Sequence, residues 1–168
     1  MDEKLVKKTE MARDKLLASA QTLGISILSP SSEGGVLPDS GFAPFIRQDG
    51  RFYIYSSRLS SHVRSLIDDQ PAQFFLIADE GASPNIWARV RLKFTARTTE
   101  IARDADNFAP ILDKIGAAHG PVMDLIRDFT DFHLFEITPE RGTLVTGFAA
   151  AFEVEGPDFN LIAHLRQG

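Results

Sequence analysis

The sequence predicts a mostly antiparallel β-sheet closed into a small barrel, an α+β chain whose helices attach to the outside. Three observations lead there. From Ile86 to Arg97 every even position is apolar (Ile86, Ala88, Val90, Leu92, Phe94, Ala96) and the odd positions are Trp87, Arg89, Arg91, Lys93, Thr95 and Arg97. Period two over that length is the pattern of a strand with one core face. Asp49-Gly50 stands between two runs of strand character, Gly41 to Arg47 and Arg51 to Ser57, and makes 41–57 a hairpin. The remaining strands are joined mainly by hairpins and short helices, and closing such a sheet removes its exposed edges.

In order, residues 3 to 21 are rich in helix formers and place Leu5, Ala12, Leu16 and Ala20 on one side of a helix. Leu23 to Ser29 reads as a buried strand, and Ser31 to Ser40, with its Ser, Gly, Pro and Asp, as a loop. After the hairpin, Leu59, Val63, Leu66 and Ile67 fall at helical spacing over 60–69. Phe74-Phe75-Leu76-Ile77 is an unbroken apolar run, fit for a strand covered on both faces. Asp106 is placed to cap a helix carrying Phe108, Ile111, Leu112 and Ile115, and a second helix starts near Gly120-Pro121. Strands return at Asp131 to Thr138 and, after a turn at Pro139-Glu140-Arg141-Gly142, at Thr143 to Val154. Gly147, Ala149 and Ala151 leave one face of that last strand open to close approach, and Asp158 to Leu165 reads as a final helical turn. The expected organisation is a single domain over 1–168, with an N-terminal helix (1–21), a barrel with helical insertions (22–157) and a C-terminal tail (158–168).

Composition narrows the function. The 168 residues carry a net charge of −5 with the acids spread out, which argues against a nucleic-acid partner. The absence of cysteine removes disulfides, thiolate metal sites and a cysteine nucleophile together. The start, Met1-Asp2-Glu3-Lys4, is not followed by an apolar run, and no stretch approaches the ~20 apolar residues of a membrane span. No signal peptide, no membrane partner and a cytoplasmic location are therefore expected.

The junction between strand and helix at 51–66 is the most informative stretch. Ser60 and Ser61 suit an N-cap, a helix start leaves outward N–H groups, and Arg58, His62 and Arg64 add donors beside them. This serves either plain capping or a phosphate cradle. The polar face of 86–97 sets Trp87 beside a row of cations, which serves either a solvated sheet face or an anion site with a stacking wall. No Gly-x-Ser-x-Gly elbow, His-Glu-x-x-His pair, P-loop or Gly-x-Gly-x-x-Gly turn occurs. His62, His119, His133 and His164 show no metal-ligand spacing, and no bound metal ion is expected.

Phe42-Ala43-Pro44-Phe45, the 52–66 stretch, Trp87-Ala88-Arg89-Val90-Arg91-Leu92-Lys93-Phe94, Asp131-Phe132-His133-Leu134-Phe135 and Val145 to Phe152, in that order, resemble the pyridoxamine 5′-phosphate oxidase-like, FMN-binding split-barrel superfamily. Within it they are most similar to the heme-utilisation branch of HugZ and HutZ. The resemblance spans about Leu23 to Leu165. It implies a split β-barrel, a homodimer with its cofactor near the subunit interface, and a small-molecule substrate. By the match of motifs, Pro44, Tyr55, Ser56 and Ser57 correspond to contacts of the flavin ring and ribityl chain. Ser60, Ser61 and His62 correspond to the FMN-phosphate group, and Arg89, with Arg91 beyond it, to the strand facing the flavin. Phe42 stands where the oxidases carry Arg, and Ser61-His62 where they carry Arg-Lys. The heme branch implies a histidine ligand in the C-terminal tail assisted by an aspartate matching Asp131. The chain ends at Gly168, where that histidine would follow, which leaves His164 as its substitute. The expectation is an FMN-dependent oxidoreductase, with a heme-binding or heme-degrading protein as the first alternative and a non-catalytic flavin carrier or sensor as the second.

Overall fold

The computed structural model describes residues 2–165. Helix α1 (Glu3–Ser19) leads into β1 (Thr22–Pro30), β2 (Val36–Gln48) and β3 (Arg51–Ser57), followed by α2 (Ser61–Ile67) and β4 (Ala72–Ile77). Then come β5 (Arg91–Ile101), α3 (Phe108–His119), α4 (Val122–Ile126), β6 (Phe132–Gly147), β7 (Ala150–Glu155) and β8 (Asn160–Leu165). The sheet order is β3-β2-β1-β4-β5-β6-β7-β8, and β3 also pairs with β6. Six strands therefore close a ring, and β7 with β8 extends the sheet from the second half of β6. Every pairing is antiparallel.

Alternation sets what faces in. Leu23, Ile25, Phe45, Phe52, Ile54, Phe74, Leu76, Leu92, Phe94, Phe135 and Ile137 fill the barrel. Phe52 and Phe74 stack on Phe94, and Phe159 meets Phe94 edge-on at 4.9 Å. Val63 and Leu66 of α2 and Leu16 of α1 complete this core. A second core lies outside the ring, where α3 and α4 cover Tyr53, Tyr55 and Leu134 with Phe108, Ile111, Leu112, Ile115 and Met123.

The barrel, α1, the 41–57 hairpin and the positions of α2, α3 and α4 agree with the sequence reading. Asp49 and Gly50 take φ of 51° and 75°, as a tight two-residue turn requires. Several local readings are corrected. Residues 31–40 are not all loop, because β2 begins at Val36 and pairs with β1 out to Pro30. The strand expected at 86–97 starts only at Arg91, since Asn85 accepts the Trp87 N–H and folds 86–88 into a 3₁₀ turn. Phe74 to Ile77 is covered on one face only, with Phe75 and Ile77 exposed outside. Asp106 does not cap α3; the N-cap is Asn107, which makes no side-chain cap bond.

The C-terminal third departs most. Pro139 to Gly142 is no turn: β6 runs through it, and the register shift opposite Thr95/Ala96 absorbs Glu140 as a bulge, a place where proline is tolerated. The run Thr143 to Val154 is two strands, with the reversal at Phe148-Ala149 and Ala149 at φ 51°. Ala149 lies in that turn, and Gly147 is the last residue of β6, paired with Ala150. Residues 160–165, read as helical, form β8, whose backbone is paired by β7. Of the expected tail, 166–168 lie outside the described residues. Among the described residues no helix is long and apolar enough to cross a membrane.

Candidate functional site

The start of α2 lies against the inward-facing end of β2. Ser60 occupies the N-cap with extended backbone but makes no side-chain cap bond. Ser61 Oγ donates to Asp39 Oδ2 at 2.5 Å, and the Ser40 N–H donates to Asp39 Oδ1 at 2.8 Å. The Ser61 bond, ahead of other causes, holds the Asp39 carboxyl below its ordinary range. His62 lies across Gly41 so closely that a Cβ there would come within 2.2 Å of the ring. Burial lowers its pKa, with Asp39 opposing, which favours the neutral imidazole. Arg64 Nη1 donates to the carbonyls of Arg58 and Leu59, both at 2.9 Å, tying down the preceding turn. The place where a phosphate was expected thus already receives a carboxylate from this chain.

Strand β3 divides its residues by parity. Tyr55 points outward beneath α3, donating from Oη to the Arg127 carbonyl at 2.8 Å and accepting from Arg103 Nη2 at 3.2 Å. Burial raises its pKa. Ser56 pairs with His133, whose Nδ1 meets Glu100 Oε1 at 2.7 Å while Nε2 is buried with no hydrogen-bond partner among the described residues. Ser57 Oγ donates to Asp131 Oδ2, and the Arg58 N–H donates to the Asp131 carbonyl at 2.8 Å.

The outer face of β2, β1, β4 and β5 follows from register. Phe42, Gly24, Phe75 and Lys93 stand in one row across the four strands, all facing away from the core. Pro44 pairs with Thr22 and Ile77 with Arg91 in the next row along. Phe42 is 73% exposed and the Phe75 ring lies flat over Gly24, whose missing side chain makes room for it. The face is thus an apolar wall edged by two cations. Arg91 Nη1 donates to the Arg89 carbonyl at 3.0 Å, and Arg89 donates from Nε to the Ala78 carbonyl at 2.6 Å and from Nη1 to Glu80 at 3.4 Å. Trp87 projects from its turn, 81% exposed.

The structure therefore distributes the expected cofactor residues instead of gathering them. Ser60, Ser61 and His62 meet the inward edge of β2, whereas Pro44 and Arg91 lie on the outer face and Tyr55 beneath α3. Asp39 and Ala72 share a level through Ile27, and Arg91 sits at the level of Ile77, five residues farther along β4 or about 17 Å. A shallow groove of 590 Å³ crosses Ser26, Leu28, Pro38, Asp39, Ser40 and Gln73, and none of the expected residues lines it. His164 stacks on Phe152 at 4.6 Å with Nε2 2.8 Å from the Ala149 carbonyl. Through Phe152 it aligns with Leu144, thirteen positions along the chain from Asp131, so one subunit does not bring His164 and Asp131 together.

Heme oxygenase HutZ of Vibrio cholerae is 30% identical over 131 residues, covering 78% of this chain and 74% of that protein. The chain belongs to the HutZ family. Its six-stranded ring has the split-barrel fold of pyridoxamine 5′-phosphate oxidase-like proteins. The crystal structure of HutZ, described as a heme storage protein from Vibrio cholerae, superposes with a TM-score of 0.68 at 23% identity, covering 86% of this chain and 94% of that one. Campylobacter jejuni ChuZ gives 0.76 at 21%, covering 94% of this chain and 63% of ChuZ. A pyridoxinephosphate oxidase-family protein from Clostridium acetobutylicum gives 0.62 at 12%, covering 89% and 95%. These superpositions carry the fold. No protein-family model matches the sequence.

Sequence reasoning missed Asp39, Phe75 and Arg103. Gly24 inside a strand was the available signal for the second, since a strand glycine often marks close approach of another group.

Proposed function

We propose that this chain binds heme and degrades it oxidatively, as a homodimer with the heme near the subunit interface. The observation that carries the reading is the 30% identity over 131 residues to heme oxygenase HutZ. The residues present fit the group in kind. A planar apolar macrocycle bearing carboxylates suits a wall of Phe42, Phe75 and Pro44 edged by Lys93 and Arg91. FMN fits the α2 start less well: Asp39 already takes the hydroxyl of Ser61, and a neutral His62 offers a phosphate no charge.

Heme, when bound, supplies the one-electron and oxygen chemistry. The chain's own contribution is grip and orientation. His164 is the ligand candidate, and engaging iron through Nε2 would exchange the contact with Ala149. Asp131, already oriented by Ser57, is the carboxylate that would accept the ligand's other N–H, supplied from the second subunit because the two are apart in one. The apolar wall excludes water from the macrocycle.

Titration of the purified protein with hemin is expected to give a saturable Soret band that His164→Ala shifts or weakens, while FMN fails to co-elute on gel filtration. Loss of the band on adding a reductant and oxygen, with release of an open-chain tetrapyrrole, distinguishes degradation from storage. Retained flavin with no Soret band would overturn the heme reading.

A further inference from the structure

The link between α4 and β6, residues 127–131, delivers Asp131, and one side chain from elsewhere holds it. Arg103, just past β5, donates from Nη1 to the Arg127 carbonyl at 3.3 Å and from Nη2 to the carbonyls of Phe129 and Phe132, the latter at 3.0 Å. The same Nη2 reaches Tyr55 Oη at 3.2 Å, and Tyr55 Oη in turn donates to the Arg127 carbonyl at 2.8 Å. The guanidinium also lies 5.5 Å from the centroid of Phe108. Two carbonyls of the link and that of Phe132, the first residue of β6, converge on one planar cation, and the fork geometry is what lysine lacks. Past the link, Asp131 takes Ser57 Oγ and the Arg58 N–H, and Ser57 Oγ accepts the Leu59 N–H at 3.1 Å. A continuous bonded path therefore runs from Arg103 through the link to Asp131 and the turn before α2.

We infer that Arg103 is the positioning residue for Asp131, fixing the direction of its carboxylate toward the heme ligand; this rests on the heme reading above. Among the described residues, the side-chain hydrogen bonds of Arg103 go to the 127–132 backbone and to Tyr55, and none goes to the residues of the apolar wall. Its effect on a bound heme passes through Asp131, and this separates it from a residue that merely stabilises the fold. Tyr55 belongs to the same clamp, which gives its hydroxyl a role apart from any flavin.

The test uses the full chain carrying Arg103→Lys, Arg103→Gln, Asp131→Asn and the double variant Arg103→Lys/Asp131→Asn. In the heme-free proteins, amide hydrogen exchange at Arg58, Leu59 and 129–132 is expected to quicken by about tenfold or more in both Arg103 variants, since charge-assisted bonds hold that link shut. Exchange in the barrel strands should stay unchanged. With hemin bound, Arg103→Lys should move the Soret maximum in the same direction as Asp131→Asn, and the double variant should match Asp131→Asn alone. Unchanged exchange at Arg58 and Leu59, faster exchange throughout the barrel, or Soret shifts that add in the double variant would each overturn the inference. If wild type binds no hemin, the heme reading fails, and the exchange measurements still decide whether Arg103 positions Asp131.

Discussion

Gly24→Ala isolates the contact that shapes the outer face. A Cβ on Gly24 would lie 2.2 to 2.4 Å from three ring carbons of Phe75, so the ring must leave. Phe75 is 37% exposed, so most of a side chain able to bury about 200 Å² is covered. Swinging it out uncovers roughly 60–100 Å², about 1.5–2.5 kcal/mol at ~25 cal/mol per Å². Alanine returns about 0.5–1 kcal/mol of backbone entropy relative to glycine. The net loss is therefore about 1 kcal/mol, read as a lower urea midpoint at unchanged slope. Gly142→Ala is the contrast, because its Cβ would meet the Lys93 carbonyl oxygen at 2.4 Å and Phe94 Cβ at 2.8 Å. Backbone cannot rotate away, and a loss above about 3 kcal/mol is expected. If Phe75 is part of the heme wall, Gly24→Ala also weakens hemin binding about fivefold, a change of roughly 1 kcal/mol. The refutation is a double-mutant cycle: in a Phe75→Ala background, Gly24→Ala should be neutral or mildly stabilising. Should it still destabilise by the full amount, the ring is not what the new methyl displaces.

Three further outcomes are expected. Burial lowers the pKa of His62 below its ordinary 6.5, so as pH falls through that value the unfolded chain takes up a proton that the folded chain resists, and stability falls with it. Thermal melts should show this decline from pH 7 toward 5, and His62→Gln should flatten it. Asp39 acts lower and separately: its depressed pKa gives stability above 3.8 that is lost as pH falls through the folded value. Phe159→Ala should cost about 3–5 kcal/mol in urea unfolding despite lying in a turn outside the ring, because Phe159 is 1% exposed and packs on Phe52 and Phe94.

What the chain disclosed in advance depended on the range of the interaction. The 41–57 hairpin was legible because Asp49 and Gly50 carry the turn's backbone requirement themselves. The core face of β5 was legible for the same local reason, although its alternation ran five residues too far. Ala88 and Val90 keep the period, but the Asn85 side chain competes for the backbone and wins. β8 was not legible, since Asn160 to Leu165 becomes a strand only by pairing with β7. The proline in β6 misled in the opposite sense, because the bulge that admits it is set by the register with β5.

The site shows the same division more sharply. Hydroxyls entering a helix and a cationic strand are both plain in the sequence, and each alone is a fair sign of anion binding. Their meaning turns on which sheet face each meets. Alternation places Asp39 and Gly41 on the inward side of β2, against Ser61 and His62, and puts Phe42 and Pro44 on the outward side, toward Lys93 and Arg91. Within one chain the two groups therefore lie on opposite faces of β2. A helix start whose Ser61 hydroxyl is taken by a carboxylate 22 residues upstream is stabilised for folding, and under the proposed heme function the outer wall, with cations at its edge, is the surface that would meet the flat carboxylate-bearing ligand. Asp39→Asn combined with FMN titration tests this division directly: if removing that carboxylate still yields no flavin binding, the α2 start is a structural cap, and retained FMN would show that Asp39 had been excluding it.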